Sequence, residues 1–165
     1  MMAAMRFAVM LSLTSVIAYA YAQHPLDQQL AQLLPPALVP LQGTGWPAGT
    51  LLCPLTPYES AVPGNSKVAR RVNAVLEKNR FRGDEGHWSL IVIQPATTGD
   101  AGIEQLVFKR RNYDVVRSSS GLRGATTSVP AGFMPKVCVE IQEARILATR
   151  GATSHRTTIS FGTEK

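Results

Sequence analysis

At 165 residues, with 45% hydrophobic and 17% charged side chains, the chain has the apolar content for a packed core and is not disordered throughout. Its 17 Lys+Arg outnumber 11 Asp+Glu for a formal charge of +6. Only Cys53 and Cys138 are cysteines, which excludes a cysteine-dense miniprotein and a zinc site built from cysteines.

In chain order, the first feature is a leader. Residues 1–22 carry one cation, Arg6, then an apolar run from Phe7 to Ala20, and close with Ala18-Tyr19-Ala20-Tyr21-Ala22. This is the pattern of a secretory signal peptide cleaved before Gln23. The run falls short of the roughly 18–20 apolar residues that span a bilayer and no second run follows, so no membrane insertion is expected after cleavage.

From Gln23 the prolines become dense (Pro25, Pro35, Pro36, Pro40, Pro47), and up to Ser66 the charged residues are Asp27 and Glu59 alone. Residues 23–49 therefore read as a Pro-rich N-terminal arm, loosely docked or processed, ahead of a single domain over 50–165. Leu26, Leu30, Leu33 and Leu34 share a helical face, so a short helix is expected before the Pro35-Pro36 break.

After the Pro63-Gly64 turn, Asn65 or Ser66 can cap a helix in which Val68, Val72, Val75 and Leu76 form an apolar face. Lys67, Arg70, Arg71 and Lys78 occupy the other side, and residues 67–82 sum to 6 − 1 = +5. Gly83-Asp84-Glu85-Gly86 ends that element. The period then changes to that of strands, over His87–Gln94, Ile103–Arg110, Tyr113–Arg117, Lys136–Glu143, Ala144–Thr149 and His155–Phe161. Arg110-Arg111-Asn112 reads as a tight turn between paired strands, and Ser118–Gly132 as a surface loop. The fold class is α+β: one amphipathic helix on a twisted antiparallel sheet of about five strands. Two cysteines in a secreted chain pair, so a single Cys53–Cys138 disulfide is expected.

Three histidines are present, and His87 and His155 each begin a strand run. A histidine with a carboxylate or a second histidine, steadied by a cation, is what phosphodiester transesterification requires. His87, Glu140, Arg145 and His155 are the candidate catalytic set. A separate candidate is a binding surface of Lys67, Arg70, Arg71, Lys78, Arg110 and Arg111, suited to an acidic protein or, with Phe81, Trp88, Phe108 and Tyr113 interleaved, to RNA. Gly43-Thr44-Gly45-Trp46 lacks the lysine of a phosphate loop, and neither a cofactor nor a metal is expected.

The order of parts, with Leu51-Leu52-Cys53-Pro54 early, one amphipathic helix, an antiparallel sheet and Cys138 late, resembles the small secreted fungal proteins of the ribonuclease fold. These include guanyl-specific ribonucleases and the ribonuclease-like effectors of plant-pathogenic fungi, and the resemblance covers about residues 50–148. It implies a secreted effector-like protein that binds a host protein or RNA without turnover. A secreted ribonuclease is the second reading, and a bacterial periplasmic inhibitor or immunity protein the third.

Overall fold

The structure, a computed structural model, describes residues 24–42, 44–95, 102–110, 113–117, 122, 129–151 and 156–165. The expected signal peptide lies outside the described residues. In chain order the elements are α1 (Pro25–Gln32), β1 (Ala37–Pro40), β2 (Leu51–Leu55), α2 (Lys67–Lys78), β3 (His87–Ile93), β4 (Ile103–Lys109), β5 (Tyr113–Val116), β6 (Phe133–Pro135), β7 (Val139–Glu140), β8 (Arg145–Arg150) and β9 (Thr157–Glu164). None of the helices is long and apolar enough to cross a membrane among the described residues.

Helix α1 starts at Pro25, whose fixed φ suits the first helical position, and His24 caps it by accepting the Leu26 N–H on Nδ1 at 3.2 Å. Leu26 and Leu30 are buried in the central core, and the buried Asp27 carboxylate accepts the Tyr113 hydroxyl proton at 2.7 Å. The chain then enters β1, which pairs in antiparallel fashion with β8. The N-terminal arm is thus an integral part of the fold rather than a loosely docked segment. The reason is the spacing of Leu26 and Leu30, which buries one face of a helix too short to stand alone.

The strands form two sheets rather than one. In the first, the order is β4-β3-β2-β7; in the second it is β1-β8-β9-β5, with β6 also paired to β9. All pairings are antiparallel except β5 with β9. The expected tight turn at Arg110-Arg111-Asn112 does not close a hairpin: β4 pairs with β3 while β5 pairs with β9, so the chain changes sheets there. Residues 111 and 112 themselves lie outside the described residues.

Alternation along the strands explains the layers. Leu52, Leu90, Val92 and Phe108 of the first sheet meet Val115, Ile146, Ala148, Ile159 and Phe161 of the second in one core. Trp88 sits in that core, stacked on Phe108 at 4.5 Å between ring centroids, with Tyr113 and Phe161 at 6.2 Å. On the opposite face of the first sheet, Cys53, Leu55, Ile91 and Ile93 receive Ala69, Val72 and Leu76 of α2. The molecule is a β-sandwich with α2 on an outer face. Strand β3 is apolar on both sides because both sides are covered, by α2 and by the second sheet.

Three strands, β1, β2 and β6, were not expected from the sequence, and each contains a proline. In β2 the Ile141 N–H bonds to the Thr50 carbonyl, so the main-chain groups of Thr50, Leu52 and Pro54 face the β7 side. Strand β7 reaches only Leu51 and Leu52, so the missing N–H of Pro54 faces no partner strand. The same register sets Cys53 beside Cys138, and they form the expected disulfide with Cα atoms 4.2 Å apart. The expected strand over Lys136–Glu143 shrinks to β7, Val139–Glu140, and β6 lies just before it at Phe133–Pro135.

Candidate functional site

Helix α2 is fastened to the loop before it by two side chains. Ser66 accepts the Ala69 N–H at 3.0 Å as N-cap, and Asn73 clasps the preceding loop by accepting the Val62 N–H at 2.7 Å and donating to the Val62 carbonyl at 2.9 Å. The apolar face of the helix is buried on the sheet, which turns its cations outward. Lys67, Arg70 and Lys78 are exposed and Arg71 is half-buried; Arg80 and Arg82 follow, both exposed. Arg70 donates back to the Asn65 carbonyl.

Lys67, Arg71 and Lys78 stand at i, i+4 and i+11, one stripe along the helix. That stripe borders β4: Lys67, Val68, Arg71 and Val72 of α2 share a depression of about 110 Å³ with Ile93 and Ile103. The helix begins beside Ile103, and residues 79–86 return the chain to His87, the start of β3. Asn79 and Arg80 make that exit, with Arg80 at φ 53° and the Phe81 N–H bonded to the Leu76 carbonyl at 2.9 Å.

A second polar region lies where β3 begins. His87 Nδ1 is 2.9 Å from Asp84 Oδ1 and 3.1 Å from Oδ2. The His87 hydrogen bond, reinforced by the Gly86 N–H, holds the Asp84 carboxyl below the usual carboxylate value, against the opposing effect of desolvation. Arg110 donates to Asp114, which together with its charge raises the guanidinium above its ordinary value, and Arg110 Nη1 also reaches the Glu85 carbonyl at 3.5 Å. Arg156 approaches Asp114 at 3.5 Å, and Arg117 pairs with Glu59. Tyr58 stands over this end at φ 69°, and desolvation followed by a hydrogen bond to Glu85 raises its phenol. Arg110, expected as a binding cation, is here a half-buried member of an ion-pair mesh.

The candidate catalytic residues are not brought together. In the antiparallel register His87 lies opposite Lys109 at one end of β3, while Glu140 pairs with Leu51, which faces Ile93 at the other end. Six residue steps separate those ends, roughly 20 Å at the rise of a strand. Arg145 begins β8 in the other sheet, 3.6 Å from Glu164. His155 and Arg111 lie outside the described residues. What His87 does possess is Asp84 on Nδ1, which leaves Nε2 as the accepting nitrogen of the neutral ring.

Sequence reasoning overlooked two features. The stack of His24 on Trp46, 5.6 Å between centroids, leaves no signal in a single sequence. The second is the edge of β4, unpaired among the described residues, for which the alternation over 103–109 was a signal but the sheet order was not. Comparison with protein-family models, with curated proteins and with solved structures finds no match to this chain.

Proposed function

We propose that this is a secreted, effector-like binding protein that engages an acidic partner protein, in a host in the case of an effector, through the outward face of α2 and without turnover. The observation that carries this reading is the cationic surface of Lys67, Arg70, Arg71 and Lys78 on a helix whose other face is locked into the core. Such a surface speeds and orients encounter with an acidic partner, and substitutions there leave the core intact. The dispersal of His87, Glu140 and Arg145 argues against a shared catalytic centre among them.

The test uses fluorescein-labelled poly-glutamate and a labelled oligouridylate, with binding followed by anisotropy at several salt concentrations. The variant carrying Lys67→Glu, Arg70→Glu, Arg71→Glu and Lys78→Glu should lose poly-glutamate binding and its salt dependence, with little change in Tm. Unchanged binding by that variant would reject the reading. The ribonuclease reading rests on the His87–Asp84 pair, and cleavage of single-stranded RNA that His87→Ala abolishes would favour it.

A further inference from the structure

Strand β4 spans seven residues at the end of its sheet, and among the described residues it pairs with β3 alone. Which of its main-chain groups face outward follows from two hydrogen bonds. The Gln94 N–H bonds to the Gly102 carbonyl at 2.8 Å, and the Arg110 N–H bonds to the Gly86 carbonyl at 2.7 Å. In an antiparallel ladder the direction alternates, so Glu104, Leu106 and Phe108 also bond toward β3. The N–H and C=O groups of Ile103, Gln105, Val107 and Lys109 therefore point away from the sheet.

The side chains of those same four residues lie on the α2 side. Leu106 and Phe108 pack into the inter-sheet core, whereas Ile103 packs with α2 and Gln105 donates to Ser89 at 3.2 Å on that face. Val107 is 55% exposed, and β4 contains no proline and pairs with β3 in unbroken register; its charged residues are Glu104, on the face away from α2, and Lys109 at the far end. Beside the Ile103 end of this edge stand Lys67 and Arg71 of α2, and the same helical stripe continues to Lys78. Between strand and helix, at the Ile103 end, the depression of about 110 Å³ has an apolar floor of Val68, Val72, Ile93 and Ile103 under two cations.

We propose that the β4 edge is a strand-addition site for an extended acidic peptide segment of the partner protein. The partner's main chain pairs with Ile103, Gln105, Val107 and Lys109. Its alternate side chains face α2, where a small aliphatic one fills the depression and acidic ones meet the cationic stripe. The peptide is acidic because every charged side chain of α2 on that stripe is a cation, and because Lys109 closes the far end of the strand. This deepens the functional reading above and rests on it.

The experiment selects peptides from a displayed 12-residue random library on the full chain, then measures synthetic copies by anisotropy and by amide hydrogen exchange. Enriched peptides should be acidic with alternating aliphatic positions, and binding should protect the amides of residues 103, 105, 107 and 109. Val107→Pro removes only an N–H directed away from β3, so it should weaken binding about tenfold or more while the exchange of residues 104, 106 and 108 is unchanged. Lys67→Glu with Arg71→Glu should weaken it similarly. No enrichment, or enriched peptides that bind without protecting those four amides, would overturn the proposal. If Val107→Pro and the exchange pattern are indifferent but charge reversal abolishes binding, strand addition is wrong while the cationic-face reading stands. If neither matters, both fall. Binding of the oligouridylate alone, indifferent to Val107→Pro, would replace the peptide by RNA.

Discussion

Asp84 and His87 illustrate how a local pair can mark a pH response without forming a catalytic site. The Asp84 carboxyl is held below its ordinary value of 3.8, mainly by the hydrogen bond from His87. A depressed carboxyl contributes stability that is fully present above its unfolded value and is lost as pH falls through the folded value, so this contribution disappears only in strong acid. Carbon-detected NMR titration should give an Asp84 midpoint below 3.8, and His87→Ala should move it upward. An unmoved midpoint in that variant would refute the assignment of His87 as the main cause. Gly162 tests packing at the same scale, since a Cβ there would lie 2.2 Å from the Met134 carbonyl oxygen and 2.7 Å from the Phe133 ring. Gly162→Ala should force β6 off β9 and cost roughly 1–3 kcal/mol in urea unfolding.

For the elements, the informative case is α1. Leu30 is buried in the core and Leu34, just past the helix, is 82% exposed, although the sequence spacing assigns both to one helical face. Leu30→Ala should cost about 2–5 kcal/mol, whereas Leu34→Ala should stay within roughly 0.5 kcal/mol of wild type. Equal, small effects would mean that the arm does not dock as described. The Tyr113–Asp27 hydrogen bond gives α1 a second anchor, joining residues 86 apart in the chain. In helix α2 the N-cap and the apolar stripe are both local, so the sequence describes its start, while it ends at Lys78, ahead of the expected stop at Gly83.

Across the whole molecule, the disulfide closes a sequence separation of 85 residues and joins β2 to the chain entering β7. In the loop-entropy account such a link constrains the unfolded chain by roughly 4–5 kcal/mol. Reduction should therefore lower the urea midpoint substantially, and the oxidised protein should take up no alkylating reagent before reduction; two thiols alkylated without reduction would contradict the bond. The link also stiffens the sheet whose other end carries β4. Three of the four strands of that sheet, β2, β3 and β4, form one continuous antiparallel ladder, so the edge is presented on a rigid frame.

Local chemistry alone determined α2, β3, β4, β5 and the pairing of the cysteines. A 3.6-residue apolar period, β-branched alternation and an even cysteine count each act within a short window or by simple elimination. The division into two sheets was decided elsewhere. The turn after Lys109 is compatible with a hairpin, and only the packing of Tyr113 and Val115 against Ile159 and Phe161 sends β5 to the other sheet. Prolines hid β1 and β2, because whether a missing N–H is tolerated depends on which edge it faces, a property of sheet order. The catalytic candidates separated for the same reason: His87 and Glu140 share one sheet, but antiparallel register puts them at opposite ends. The cationic stripe, by contrast, was legible from Lys67 to Lys78, since helix geometry is fixed by the backbone; the outer edge of β4 became visible only from the order of strands, which leaves it unpaired among the described residues.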